Sequence, residues 1–485
     1  MQLYDTKEKR LVEVVPASSG TVDIYCCGPT VYRFAHVGNL RTFLLGDLVR
    51  RTLKAEGVAY RYIQNITDVG HLNDDVNIEV NLESGQDKIL AQAKLEKKDP
   101  FEIARFYESA FHADLKALNI LPADAYPKAS ESIDLITDLI AQLIYIGSAY
   151  QGGDGSMYFA ARSFKGYGAI SHNTLENLQA GYRFDATQSE TEPGKRFHAD
   201  WALWKIASEN REMTWQTPWG VGFPGWHIEC SAMSLHYFPQ GVSLHLGGID
   251  LRFPHHENER AQSNSATNSE FVRQWVHGEH LLFEGKKMAK SSGNVLHVAD
   301  LVERGIDPLA LRLLFLESHY RTQMNLTWET IEAADATLKR WRKKISTWQN
   351  HNDDKSDTGP DTGPDTGPDT GPDKRVSDQI LALFANDLDT SGVMLLLRKI
   401  ERDETIPGRQ KRAIFLTADA LLGLNLEVPE PERVELRSNE QQLLTERERA
   451  RANSDWPKSD ELRAKLLDLG IRVTDGPAGQ SWERI

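Results

Sequence analysis

The sequence predicts an α/β protein in which a parallel-sheet domain is split into two halves by an inserted α+β segment and followed by a helical bundle and a small carboxyl-terminal domain. Three observations carry that reading. Strand-like and helix-like runs alternate through the first 120 residues or so; between about 150 and 200 the texture turns to glycine-rich short strands before the alternation resumes near 220; from about 300 onwards helical spacing dominates. A chain of 485 residues is long enough for about three domains at roughly 150 residues each.

Taken in order, Val22-Asp23-Ile24-Tyr25-Cys26 is strand-like and Gly28-Pro29 ends it. A helical run follows, with Leu40, Phe43, Leu44 and Leu48 near one face, and stops at Gly57. Tyr60 to Ile66 reads as a second strand, parallel to the first through a right-handed crossover. Ligands of such a sheet bind beyond the carboxyl ends of its strands, here around residues 27 to 39 and 67 to 71. Helical periodicity runs through 101 to 118 and 131 to 147, and Gly152-Gly153-Asp154-Gly155 then turns into the short strand Ser156 to Phe159. Ser243 to Gly248 restores the strand pattern of the first half. The spans expected are 1–120 and 205–300 for the two halves of the parallel-sheet domain, 121–204 for the insertion, 301–345 for a junction region, 346–430 for the bundle and 431–485 for the last domain. Across the junction and the start of the bundle, Leu338, Trp341, Ile345 and Trp348 fall at helical spacing and read as a core-facing stripe with basic residues elsewhere on the helix, direct RNA contact being the other reading. Thr-Gly-Pro-Asp repeats four times from Thr358 to Asp373, a composition with nothing to bury, and reads as an acidic spacer without chemistry.

Composition narrows the function classes. With 40% hydrophobic and 9% aromatic residues the chain can bury a sizeable core, which excludes disorder over its whole length. No run approaches the roughly 18 to 20 apolar residues of a membrane span, and the first residues lack an apolar signal core, so a cytoplasmic protein is expected. Three cysteines, two of them adjacent, fit no disulfide framework. A formal charge of -14 would repel polyanions if it were evenly spread. It is not: residues 336 to 350 hold Lys339, Arg340, Arg342, Lys343 and Lys344 with no acid among them, and the last fifty residues are net neutral. A nucleic-acid partner therefore stays open if it lands on the carboxyl-terminal half.

Three groups of residues can carry chemistry. His36-Val37-Gly38-Asn39 lies between the first strand and its helix, where free N–H groups and the helix dipole favour phosphate. The alternative is an ordinary turn. Gly285 to Asn294 contains Lys286, Lys287 and Lys290 between glycines, which suits a mobile loop closing over a triphosphate as well as it suits a solvated basic loop. His255 and Glu259 share a helix face at i and i+4, Cys230 precedes His255 by 25 residues, and Cys27 can complete a zinc set if the strand end converges on them. Buried free thiols and a surface histidine pair are the other reading. Because strand side chains alternate, Cys26 and Cys27 should not reach the same site.

Longer runs decide between these readings. Tyr25 to Tyr32 with His36 to Asn39, Gly225-Trp226-His227-Ile228-Glu229-Cys230-Ser231-Ala232-Met233, Phe253-Pro254-His255-His256-Glu257-Asn258-Glu259 and Lys287-Met288-Ala289-Lys290-Ser291 resemble the cysteinyl-tRNA synthetase family, class I aminoacyl-tRNA synthetases, in fixed order over nearly the whole chain. The segment from Ser459 to Trp482 is similar to that family's carboxyl-terminal domain. The resemblance implies a Rossmann-type catalytic domain and Zn²⁺ held by Cys27, Cys230, His255 and Glu259, with the substrate thiolate joining it. A thiolate-preferring metal discriminates cysteine from serine where an apolar pocket separates near-isosteres by only about 1 to 3 kcal/mol. It implies L-cysteine, Mg²⁺ with ATP, and tRNA-Cys as substrates of a monomeric enzyme. By the same resemblance His36, Gly38, Asn39, Lys287 and Lys290 contact phosphates, His245, Gly248 and Asp250 lie near adenosine, and Thr30, Asp68 and Trp226 meet the amino acid. Arg451, Asp460, Asp475 and Trp482 are the candidates for reading the anticodon. Asn39 stands where the motif usually ends in histidine, Ala289 where serine is usual in the lysine loop, and Leu246 where glycine is common; no proposed metal ligand is lost. Two rivals share parts of this reading: a ligase passing cysteine to an amino sugar, and a silent RNA-binding paralogue.

Overall fold

The computed structural model describes residues 1–16, 20–70, 87–175, 194–288, 294–350, 374–428, 438–453, 455–476 and 479–484. Two compact units divide the chain, Met1–Glu427 and Val428–Ile485. The repeat at Thr358 to Asp373 lies outside the described residues.

The centre of the first unit is a four-stranded parallel sheet in the order Val272–Gly278, Val242–Gly248, Val22–Cys26, Tyr60–Gln64. Val22–Cys26 is buried at all five positions, as a central strand covered on both faces must be. It pairs with Tyr60–Gln64 on one side, closing the expected βαβ unit, and with Val242–Gly248 on the other, where Tyr25 stands opposite His245 and Cys26 opposite Leu246. The crossover helix Val37–Ala55 buries Leu40, Phe43, Leu44 and Leu48 against the sheet and its neighbours. Gly28 follows the first strand at a point where a Cβ would lie 1.6 Å from the Asn65 carbonyl oxygen, so only glycine lets the two strand ends approach so closely.

The insertion is built on a five-stranded antiparallel sheet, in the order Ala149–Gln151, Met157–Phe159, Trp201–Ile206, Gly220–Pro224, Trp215–Thr217. That sheet runs to Pro224, beyond the boundary at 204 suggested by the change of texture. The indoles and glycines of residues 201 to 224 pair with the insertion's strands, a pairing that local periodicity does not reveal. Helix Trp226–Tyr237 then returns the chain to the parallel sheet.

Lys286–Lys287, Leu281–Phe283 and Met324–Leu326 form a small three-stranded sheet; helices Val298–Glu303 and Pro308–Leu316 stand between its last two strands in sequence, and further helices follow it. On helix Trp328–Asn350 the expected stripe faces inward: Leu338, Trp341 and Ile345 are buried, and Trp341 and Trp348 meet Phe415 edge-on. Arg340 and Lys344 on the same helix pair with Glu401 at 3.1 and 3.0 Å, so these basic residues serve the bundle. The second unit packs helices Ser438–Ala452 and Trp456–Asp468 beside the hairpin Ile471–Gly476, Gly479–Arg484, around Leu444, Leu466, Ile471 and Val473. No helix among the described residues is long and apolar enough to cross a membrane.

Candidate active site and metal centre

Four buried donors from three parts of the chain meet at the carboxyl end of the parallel sheet. Cys27 lies just beyond the first strand, Cys230 on helix Trp226–Tyr237, and His255 and Glu259 one turn apart on helix His255–Thr267; one ligand atom from each falls within 4.8 Å of all the others. The two sulfurs are 3.8 Å apart, Cys27 Sγ is 3.3 Å from Glu259 Oε1, and His255 Nε2 is 2.9 Å from the same oxygen. Metal–sulfur bonds of about 2.3 Å at the tetrahedral angle put two sulfurs about 3.8 Å apart, so the donor set fits a tetrahedral metal ion. The ring of His255 is held on both sides: its Nδ1 is 2.9 Å from His227 Nδ1, and Trp226 lies against it with ring centroids 4.1 Å apart. Such an outer contact fixes which nitrogen is offered to a metal.

Burial governs the electrostatics. It drives the Cys27 thiol and the Glu259 carboxyl well above their ordinary ranges and keeps His227, His245 and His256 neutral. Cys230 moves the other way: burial opposes its ionisation, but the Cys27 hydrogen bond and the nearby His255 outweigh it. Cys26, buried on the opposite face, has its thiol pushed up to about 12 by desolvation and takes no part in the cluster. The alternation expected of the two cysteines therefore holds.

A second set, Cys27, His245, His256 and Glu259, satisfies the same 4.8 Å limit. His245 Nε2 and His256 Nε2 are each 3.4 Å from Cys27 Sγ. His245, expected near adenosine, is thus also a neighbour of Cys27. In the register of the sheet it stands opposite Tyr25, two residues before Cys27, so it points to the cysteine's face and stacks on Trp275. Sequence reasoning missed His227, His256 and His277. His256 lies in the recognised run, but His277, 2.8 Å from His256 Nδ1, sits on a strand whose neighbour in the sheet no local signal names.

The residues expected to meet the nucleotide lie at the start of helix Val37–Ala55, at the end of Val242–Gly248 and on the small sheet of Lys286–Lys287. His36 caps helix Val37–Ala55: its Nδ1 accepts from the Asn39 N–H and its own N–H donates to Asn39 Oδ1, both at 3.3 Å. Asparagine in place of histidine at 39 thus closes a capping box through its oxygen and leaves its amide N–H₂ as a donor. A Cβ on Gly38 would come within 2.9 Å of Met288 Cε, at the root of the lysine loop. Gly248 and Asp250 sit at the carboxyl end of Val242–Gly248, where a parallel sheet receives ligands. Lys287 is exposed on its short strand; Lys290 lies outside the described residues. Thr30 bridges Thr67, and both oxygens of Asp68 accept from Ser130, its Oγ at 2.5 Å and its N–H at 2.8 Å. In the second unit, Arg451 lies over Trp456 at 5.5 Å, Asp460 is exposed on the last helix, and Trp482 is 39% exposed opposite Val473. Asp475 is on the partner strand, its side chain outside the described residues.

Comparison with known proteins finds a family match in each of the two units. Residues 13–336 match the family described as tRNA synthetases class I (C) catalytic domain, and residues 433–482 match the cysteinyl-tRNA ligase anticodon binding domain. The chain is 39% identical over 492 residues to a cysteine–tRNA ligase of Thermus thermophilus, covering 99% of this chain and 98% of that one. A cysteine–tRNA ligase of Treponema denticola is 33% identical over 502 residues, covering all of both chains. Among solved structures, the methionyl-tRNA synthetase of Mycobacterium tuberculosis in complex with methionyl-adenylate superposes with a TM-score of 0.54 at 15% identity, covering 83% of this chain and 90% of that one. That likeness concerns the fold alone.

Proposed function

The chain belongs to the cysteine–tRNA ligases, class I aminoacyl-tRNA synthetases, and on that premise we propose that it activates L-cysteine with Mg-ATP and transfers it to the 3′-terminal ribose of tRNA-Cys. The observation that carries the specificity is the convergence of Cys27, Cys230, His255 and Glu259 within 4.8 Å in a buried pocket. These four would hold Zn²⁺, which supplies a bond to the substrate's thiolate that serine's hydroxyl cannot match. Of the two donor sets this one is favoured because it brings two sulfurs, the ligands a borderline-soft ion prefers, and because the His255 ring is clamped between His227 and Trp226.

The protein's own groups do the rest by positioning and neutralising charge. Trp226 walls the pocket beside His255. Asp68, steadied by Ser130, retains lone pairs for the substrate's ammonium group, and Thr30 lines the same strand end. With the amino acid so held, its carboxylate attacks the α-phosphorus of ATP and pyrophosphate leaves. His36 and the Asn39 amide donate to phosphoryl oxygens as their charge grows, Gly38 leaves room for them, and Lys287 with Lys290 neutralises the leaving group. Gly248 and Asp250 border the adenosine. In the second step the terminal ribose hydroxyl of tRNA attacks the carbonyl of cysteinyl-adenylate and AMP departs. The 428–485 unit, with Arg451, Asp460, Asp475 and Trp482, engages the anticodon.

The test is cysteine-dependent ATP–pyrophosphate exchange with serine as control, followed by charging of tRNA-Cys. Exchange with cysteine alone and charging of the tRNA are expected. Exchange without charging would point to another acceptor such as an amino sugar, and no exchange in zinc-loaded protein would point to a silent RNA-binding paralogue.

A further inference from the structure

The side chain that joins the two phosphate motifs is Arg41, two residues after Asn39. It is buried, 7% exposed, on the first turns of helix Val37–Ala55. Its guanidinium donates to four main-chain carbonyls: Nη1 to Glu279 at 3.3 Å and His280 at 3.4 Å, Nη2 to His319 at 3.0 Å and Thr322 at 2.9 Å. Among the described residues no carboxylate forms an ion pair with it.

The four carbonyls come from two separate segments. Glu279 and His280 lead into strand Leu281–Phe283, and His319 and Thr322 lead into Met324–Leu326, its parallel neighbour. The third strand of that sheet is Lys286–Lys287, paired with the first through Leu282 opposite Lys287 and Phe283 opposite Lys286. Arg41 therefore grips the base of the platform from which the lysine loop springs, and does so from the helix whose first turn carries His36 and Asn39. Two further contacts bind the same parts together, the Val37 N–H to the Leu296 carbonyl at 2.9 Å and the approach of Met288 to Gly38.

We propose that Arg41 is a positioning residue for the activation step, setting Lys287 at a fixed distance from His36 and Asn39 through the carbonyls of Glu279, His280, His319 and Thr322. Burying a charge whose hydrogen bonds all go to backbone is costly unless the geometry of the fork is used, because the same volume could be filled by an apolar side chain at no desolvation cost. Its two terminal nitrogens bind one segment each. A lysine ammonium in that place is a point donor and cannot hold two segments in a fixed plane. Burial draws the Arg41 pKa down to about 10, which leaves the group charged at neutral pH.

The inference rests on the proposed cysteine activation, and the test separates the two. Arg41→Lys and Arg41→Ala, in the full chain, are compared with wild type for the kcat of cysteine-dependent exchange, the KM for cysteine, bound zinc, and the rate of tryptic cleavage after Lys286 or Lys287. A misplacement of about 1 Å can cost on the order of 100-fold in rate. The expected result is a fall in exchange kcat of about 10- to 100-fold in Arg41→Lys, with cysteine KM and zinc content within about twofold of wild type and cleavage at the loop faster. Unchanged kcat with unchanged cleavage overturns the proposal, as does a loss of rate that appears only together with lost zinc or raised cysteine KM. Should wild type itself show no exchange, the activation reading fails, and the cleavage rate still decides whether Arg41 fixes the loop. If Arg41→Ala does not fold, Arg41→Lys carries the same readouts.

Discussion

Cys27, Cys230, His255 and Glu259 are an unfavourable group of side chains for a protein to bury on its own account. Desolvation penalises the ionised forms of Cys27, Cys230 and Glu259, and the contacts of the Cys27 thiol with Cys230 and Glu259 satisfy few of their lone pairs. A divalent cation reverses that balance. Cys230→Ser is therefore expected to lose zinc and raise the KM for cysteine together. Removing a hydrogen-bond partner of a metal ligand alone costs about 10- to 100-fold in metal affinity, so removing a ligand should cost at least tenfold, measured by metal analysis after dialysis against chelator. Normal zinc with an altered KM would show that the second set, through His245 and His256, is the one that binds. At this scale the sequence was legible wherever residues share an element or a recognised run: His255 and Glu259 by helix spacing, Cys27 by its place at a strand end. The place of His245 beside Cys27 and that of His277 beside His256 were not legible, because both depend on which strands are neighbours: Val242–Gly248 pairs with a strand 220 positions before it and with another 30 positions after it.

Helix Val37–Ala55 begins at the His36–Asn39 capping box and, two turns further on, carries a buried ionic hub. Asp47 and Arg312 are both fully buried and bonded at 2.5 Å. Arg51 joins them at 2.8 Å, and the Leu121 N–H donates to Asp47 at 2.9 Å. Arg312 also donates to the Leu422, Leu118 and Asn119 carbonyls, so one guanidinium ties the crossover helix to helix Gly408–Leu422. Removing one partner of such a pair leaves the other buried without compensation. Asp47→Asn is expected to cost about 3 to 5 kcal/mol in denaturant unfolding. Burial would raise the Asp47 pKa, but Arg312, Arg51 and Arg50 hold it below the usual carboxylate range. Its stabilisation is thus present above the ordinary aspartate pKa and is lost as the pH falls through the depressed folded value; Asp47→Asn should lack that part of the acid sensitivity. The helix and its apolar face were readable from periodicity. The hub was not, since Asp47 and Arg312 stand 265 residues apart and neither breaks a local pattern.

At the scale of the molecule, the second unit has its own small core and its own family match, which separates anticodon reading from amino-acid activation. A protein ending at Glu427 is expected to keep cysteine-dependent pyrophosphate exchange within about twofold of the full chain while its charging of tRNA-Cys falls by tenfold or more. In nucleic-acid recognition a single wrong base typically costs about 1 to 3 kcal/mol, and the shortened protein reads none of the anticodon. Equal charging by the two proteins would place recognition elsewhere. The order of parallel halves, insertion, bundle and terminal domain was legible because composition and periodicity change along the chain. The far edge of the insertion was not, because Trp201–Ile206 and Gly220–Pro224 look alike whether they join a parallel or an antiparallel sheet.

The central pair of the parallel sheet joins Val22–Cys26 to Val242–Gly248, and that has a bearing on biosynthesis. Cys27 must wait for Glu259, 232 positions later, and at roughly 5 to 20 residues per second the ribosome takes about 12 to 46 seconds to deliver it. Throughout that interval the nascent amino-terminal strand has one flank unfilled and the Cys27 thiol is without its companions. The inserted segment has strands that pair within itself and so can form before Val242–Gly248 is made, whereas the pairing that brings Cys27 to its companions cannot.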